Sequence, residues 1–144
     1  MNSELHTTLS AGFRHSEELR ICLSHTVPEI DRSWPGFVDM PPVLATATMI
    51  AFVEQTCAMG LRPLLSEGQR TVGTYVDISH VAATPVGMLI KAEVKLVEID
   101  KRNLLFQVRC SDTAGLIGEG MHRRAIVELS QFMQRLDQKS QQFQ

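Results

Sequence analysis

Between Val43 and Leu65, apolar residues recur at intervals of three and four: Val43, Ala47, Ile50, Cys57, Leu61 and Leu65. That is the period of one face of an α-helix, so "ATATMIAFVEQTCAMGLRPLL" predicts a single long helix. Glu54 falls on the same stripe, between Ile50 and Cys57. An ionised carboxylate turned inward is costly unless it is paired or hydrogen-bonded. Two readings stand on periodicity alone: Glu54 lies on the rim of a wide buried arc, in water, or it faces inward for a purpose.

The rest of the chain alternates with period two. "FRHSEELRICLSHTV", with Phe13, Leu19, Ile21 and Leu23, predicts a first strand. After the helix, "SEGQR" reads as a turn. Four β-like stretches follow, "TVGTYVDISHVAAT", "MLIKAEVKLVEI", "NLLFQVRCSDTA" and "LIGEGMHRRAIVEL", punctuated at "PVG", "DKRN" and "GL". In the second, Leu89, Ala92, Val94, Leu96 and Val97 oppose Lys91, Glu93, Lys95 and Glu98, with a slip of register expected near Ala92. "PEIDRSWPGFVDMPP" holds Pro28, Pro35, Pro41, Pro42 and Gly36 and reads as a loop. Its Trp34, Phe37 and Met40 must either pack on the core or cover a cavity as a lid. "SQFMQRLDQKSQQFQ" predicts a short polar helix that frays, residues 1–12 a disordered tail, and residues 13–144 a single domain. Strand, loop, one helix and four strands in that order mean α+β, with an antiparallel sheet wrapped around the helix. One helix covers one face only. The other face, read as too apolar for water, is expected to be buried by a second copy.

Composition narrows the partners. With 144 residues, 44% of them hydrophobic, the chain can bury a real core. Its 14 Lys+Arg against 16 Asp+Glu form no basic cluster, which argues against nucleic acid. No apolar run is long enough to span a bilayer, and "MNSELHTTLS" lacks the features of an export signal, so a cytoplasmic protein without membrane association is expected. Cys22, Cys57 and Cys110 are odd in number and far apart, suiting neither a disulfide framework nor a metal site.

Three blocks carry a resemblance. "LATATMIAFVEQTC", "GTYVDISHVAATPVG" and "GEGMHRRAIV" stand in order between Val43 and Val127, and they are similar to the patterns "FATxxMxxxxExxC", "GTxxxxxHxAATPxG" and "GxGxHxRAxI" of the fluoroacetyl-CoA thioesterase-like branch of the hotdog-fold superfamily. The resemblance implies the hotdog fold and hydrolysis of a small acyl-CoA thioester, with coenzyme A as part of the substrate and no separate cofactor. It implies a homodimer or a tetramer, with its sites at the subunit interface. A non-hydrolytic hotdog protein, a dehydratase or an acyl-CoA binder, is the alternative. Residue by residue, the catalytic set falls on Thr46, Glu54 and His80, and the ligand-contacting glycine and arginine on Gly73 and Arg124. Phe37 matches one of the branch's lid aromatics, whereas Met40 stands where a second phenylalanine is expected. A longer, more flexible side chain there implies a looser acyl pocket than a fluoroacetyl-selective one.

Each of these residues has a plainer reading. Thr46 could satisfy a free N–H at the helix start, His80 could be a core-edge histidine, Gly73 a strand bulge and Arg124 a solvated strand charge. The chemistry asks for more. Thioester hydrolysis needs donors for the carbonyl oxygen and a nucleophile or activated water. Glu54 suits proton acceptance or direct attack, Thr46 and His80 donation or relay, and the unobstructed N–H of Gly73 a carbonyl. Arg124 together with Arg123 offers cationic donors to a ligand. Thr46 and Glu54 are eight residues apart, roughly 12 Å along a helix at 1.5 Å per residue, so they cannot bond directly if both are helical.

Overall fold

The computed structural model describes residues 8–143. Its strands are β1 (Arg14–Arg20), β2 (Gln69–Ile78), β3 (Leu89–Asp100), β4 (Asn103–Asp112) and β5 (Gly115–Glu128). They form one antiparallel sheet in the order β1-β3-β4-β5-β2, with β1 and β2 as its edges. Helices α1 (Val27–Ile30), α2 (Pro35–Val38), α3 (Thr46–Leu61) and α4 (Leu129–Phe143) complete the fold.

Alternation along the central strands builds the core. Ile90, Ala92, Val94 and Leu96 of β3 and Leu104, Phe106, Val108 and Cys110 of β4 point inward, where Met49, Phe52, Val53, Cys57 and Leu61 of α3 meet them. The buried face of α3 is therefore rotated from the stripe expected from spacing: Ala47 is exposed and Ile50 only half-buried, whereas Met49, Phe52 and Val53 are covered. A small-residue helix with apolar side chains on most sides fits several rotations equally well, and contact with the sheet chooses one. The slip in β3 lies at Val97, between the pairs Leu96↔Phe106 and Glu98↔Leu105, and not at Ala92. Leu89 starts the strand facing outward.

Three further expectations change. Pro28 and Pro35 do not keep their segment irregular; each sits in the first turn of a short helix, where a fixed φ helps and the missing N–H costs nothing. The outer sheet face carries Lys91, Glu93, Lys95, Gln107, Arg109 and Glu119 and is suited to water; at and just beyond the β2 edge, by contrast, Tyr75, Val76 and Val81 are exposed apolar side chains. The C-terminal segment is a 15-residue helix whose Leu129, Met133, Leu136 and Phe143 are exposed, so it is neither short nor uniformly polar.

Of the expected N-terminal tail, residues 1–7 lie outside the described residues, but Leu9 packs against the core and the Gly12 N–H donates to Leu96 O at 2.7 Å. All three cysteines are unpaired thiols; burial pushes Cys57 up to about 12 and Cys110 up to about 11, keeping both protonated and inert. Among the described residues no helix is long and apolar enough to cross a membrane.

Candidate active site

The inner face of β5 begins with two glycines. A Cβ at Gly118 would collide with Ser79 O, and one at Gly120 with Asp77 O. Their absence lets the chain leaving β2 lie directly on β5, held by Ser79 N–H to Glu119 O at 2.9 Å and Val81 N–H to Ile117 O at 2.7 Å. This crossing ends β2 at Ile78 and delivers His80 to the N-terminal end of α3.

There His80 Nδ1 meets Thr46 Oγ1 at 2.7 Å. Thr46 is the first residue of α3 and Ala45 is the cap, so the hydroxyl serves the imidazole and not a free backbone N–H. His80 Nε2 is buried without a partner among the described residues. Burial holds this imidazole below its ordinary value of about 6.5, with the backbone of Ala82 opposing the shift.

Further along β5, His122 and Arg124 follow the glycines at the same spacing of two and so share their face. Arg124 Nη1 donates to Glu54 Oε2 at 2.8 Å. The guanidinium side chain is 6% exposed and the carboxylate 42%. Glu54 thus stands at the margin of the buried face of α3, with one oxygen anchored by a buried cation and the group still open to a reactant. Arg124 is steadied by Thr71, through Nε to Oγ1 at 2.8 Å and Nη2 to the carbonyl at 3.0 Å. His122 is fully buried, with Nδ1 2.8 Å from Tyr75 O and Nε2 3.1 Å from Arg124 Nη1. Gly73 faces this cluster: a Cβ there would overlap Glu54 Oε2 and lie 3.3 Å from His122 Cε1. The β2–β5 register slips between Gly73 and Tyr75, so the bulge and the close approach are the same feature.

The fold therefore gathers Glu54, Gly73 and Arg124 into one cluster and Thr46 with His80 into another. Both Thr46 and Glu54 are within α3, so about two helical turns separate the clusters in one chain. Phe37 is half-buried on α2, its ring edge-to-face with Trp34 at 5.3 Å, and Met40 is exposed just beyond. Arg123 does not act beside Arg124. It points to the opposite face of β5, with its guanidinium carbon 5.9 Å from the centre of the Tyr75 ring. Thr71 and His122 were missed as site residues from sequence, although the spacing of two between His122 and Arg124 was a usable signal.

A five-stranded antiparallel sheet curled around one long helix, with a carboxylate and a Thr–His pair along that helix, defines a hotdog-fold thioesterase. The profile of the family described as "FlK: Fluoroacetyl-CoA-specific thioesterase" matches residues 29–130, and the chain belongs to that family. A fluoroacetyl-CoA thioesterase from Streptantibioticus cattleyicolor is 30% identical over 132 residues, 92% of this chain and 95% of its own. The solved structure of fluoroacetyl-CoA thioesterase FlK agrees with a TM-score of 0.90 at 29% identity, over 92% of this chain and 98% of that one. A thioesterase-superfamily protein of Thermus thermophilus, 21% identical, shares the fold with a TM-score of 0.82 over 93% and 95% of the two chains. The reaction is hydrolysis of an acyl-CoA thioester.

Proposed function

We propose that this thioesterase is a cytoplasmic homodimer that hydrolyses a small acyl-CoA at a site where Glu54 supplies the base or nucleophile and Thr46 and His80 assist. The observation that carries this reading is the Arg124–Glu54 pair, which leaves a positioned carboxylate half-open at the helix surface. As a base, Glu54 takes a proton from water while the water oxygen bonds to the carbonyl carbon. As a nucleophile, it forms an anhydride that water then opens. In both routes the carbon–sulfur bond breaks and coenzyme A leaves as the thiol, taking up a proton. The Gly73 N–H serves the carbonyl oxygen, and Arg124 is the ligand-side cation of the same cluster.

The two-turn separation of Thr46 from Glu54 supports a site between subunits, with the Glu54 cluster of one protomer facing the Thr46–His80 pair of its partner. Three unpaired thiols fit a reducing compartment. Solved relatives include a FlK variant in complex with acetyl-CoA and another with fluoroacetate and CoA. Met40, exposed on the segment that leads from α2 into α3, makes the acyl pocket looser and favours a small acyl group without selectivity for fluoroacetyl.

The test follows free thiol release from a series of short acyl-CoAs. Glu54→Gln keeps an oxygen that accepts from Arg124, so the fold should survive while hydrolysis falls by at least the roughly 10²-fold typical of losing a positioned acid–base group. A folded Glu54→Gln variant working at the parent rate would overturn the mechanism.

A further inference from the structure

His122 touches no open surface, yet its hydrogen bonds determine its chemical state. A carbonyl can only accept, so the bond to Tyr75 O requires a proton on Nδ1. A guanidinium can only donate, so the contact with Arg124 Nη1 requires Nε2 to be bare. His122 is therefore the neutral Nδ1–H tautomer, and its free lone pair is aimed at the nitrogen that also holds Glu54.

We propose that His122 is a positioning residue for the hydrolysis: as a neutral acceptor it aims Arg124 at Glu54, and its protonation releases that arm. The geometry supports a specific job. Of the five guanidinium N–H groups, Nε and one on Nη2 are committed to Thr71 and the two on Nη1 to Glu54 and His122. Thr71 fixes one edge of the plane. His122 and Glu54 share Nη1, so the acceptor at Nε2 sets the direction in which the second Nη1 hydrogen leaves toward the carboxylate. The bulge in β2 contributes the other half by giving His122 a carbonyl, Tyr75 O, that orients its ring.

A second proton on Nε2 would bring an N–H against a guanidinium N–H at the present 3.1 Å separation, cation facing cation. Arg124 would have to retreat, and Glu54 would lose its anchor or follow it. The charged groups facing His122 are Arg124 from its own strand and Glu54 from α3. From β2 it receives the Tyr75 carbonyl, and its register partner on β4 is the apolar Phe106. Burial lowers its affinity for a proton most, the Tyr75 carbonyl opposes that, Arg124 lowers it further and Glu54 raises it; the net direction is down. At neutral pH the arm is therefore engaged. It is released as pH falls below the ordinary histidine range.

This inference rests on Glu54 being the working carboxylate, so Glu54→Gln is assayed in parallel. Two variants separate the bonds of His122. In His122→Asn an amide N–H can still reach Tyr75 O, but no acceptor reaches Arg124. In His122→Gln a carbonyl oxygen takes the place of Nε2 and cannot be protonated at these pH values. The expected result is that His122→Asn folds with KM little changed and kcat lowered roughly 10- to 10²-fold, as a misplaced catalytic group costs. His122→Gln should recover most of kcat at pH 8 and show a flatter acid limb than the parent.

Equal kcat and equal acid limbs in parent and both variants would overturn the proposal. So would equal losses in both variants that merely track lowered melting temperatures. If neither variant folds, nitrogen NMR of the parent decides: His122 should be the Nδ1–H tautomer and should titrate with the acid limb, and any other tautomer or no such coincidence overturns the proposal. An inactive Glu54→Gln beside a fully active His122→Asn would sink this inference alone, whereas an active Glu54→Gln would sink the mechanism beneath it.

Discussion

A methyl group at Gly73 would occupy the place of a Glu54 carboxylate oxygen and press to 3.4 Å from Arg124 Nη1. At the scale of single residues the site is built from such exclusions and pairings, and they were only partly legible. Glu54 was noticed because a carboxylate on an apolar stripe needs a reason. That Arg124 is its partner was not legible, because the two are 70 residues apart in the chain and no local pattern links them. Met40 belongs to this scale as well. It is exposed on the segment leading into α3, and replacing it with phenylalanine keeps the position apolar. Met40→Phe should therefore shift relative rates across an acyl-CoA series, with little change in melting temperature. Unchanged relative rates would mean that this segment does not shape the acyl pocket.

Elements were easier to read than faces. The long helix and the central parts of all five strands fall where alternation and periodicity put them, because local spacing sets local structure. The first strand nevertheless stops at Arg20 and leaves Leu23, expected within it, exposed in a short 3-10 turn. The rotation of α3 and the end of β2 did not, because both depend on a neighbouring backbone. Gly60 illustrates the first case: a Cβ there would lie 2.8 Å from His15 Cβ and 2.9 Å from its Cγ, so the glycine sets how closely β1 approaches α3. His15 is tied in turn to Glu17 at 2.9 Å, which limits its freedom to yield. Gly60→Ala has the better helix former and should nonetheless destabilise the protein by about 1–3 kcal/mol, the usual cost of overpacking. Urea denaturation measures this. A gain in stability would mean that β1 moves aside freely.

For the whole molecule the open question is what covers the β2 edge. Among the described residues no strand pairs with its outer side, and Tyr75, Val76 and Val81 beside it are exposed, Val81 to 66%. An edge strand left in this state invites a second copy. Pairing β2 with its own equivalent would continue the sheet and bring the two site clusters of different protomers together. The charged outer face offers water no reason to leave, so it is not the surface expected to meet a partner. Light scattering should give a mass twice that of the 16.1 kDa chain. A stable monomer at micromolar concentration would exclude both the edge pairing and the shared site.

By itself the sequence determined the order of strands and long central helix, the sheet-around-helix architecture, and the positions Thr46, Glu54, Gly73, His80 and Arg124 at which the chain matches the family's motifs. Those follow from spacing within a segment and from motifs short enough to be read locally. Tertiary structure alone decided which face of α3 is covered, where β2 stops, that Arg123 and Arg124 part company across the sheet, and that Thr71 and His122 hydrogen-bond Arg124. Each of these is a contact between residues far apart in the chain. Their energies come from one backbone excluding or satisfying another, which no local period encodes.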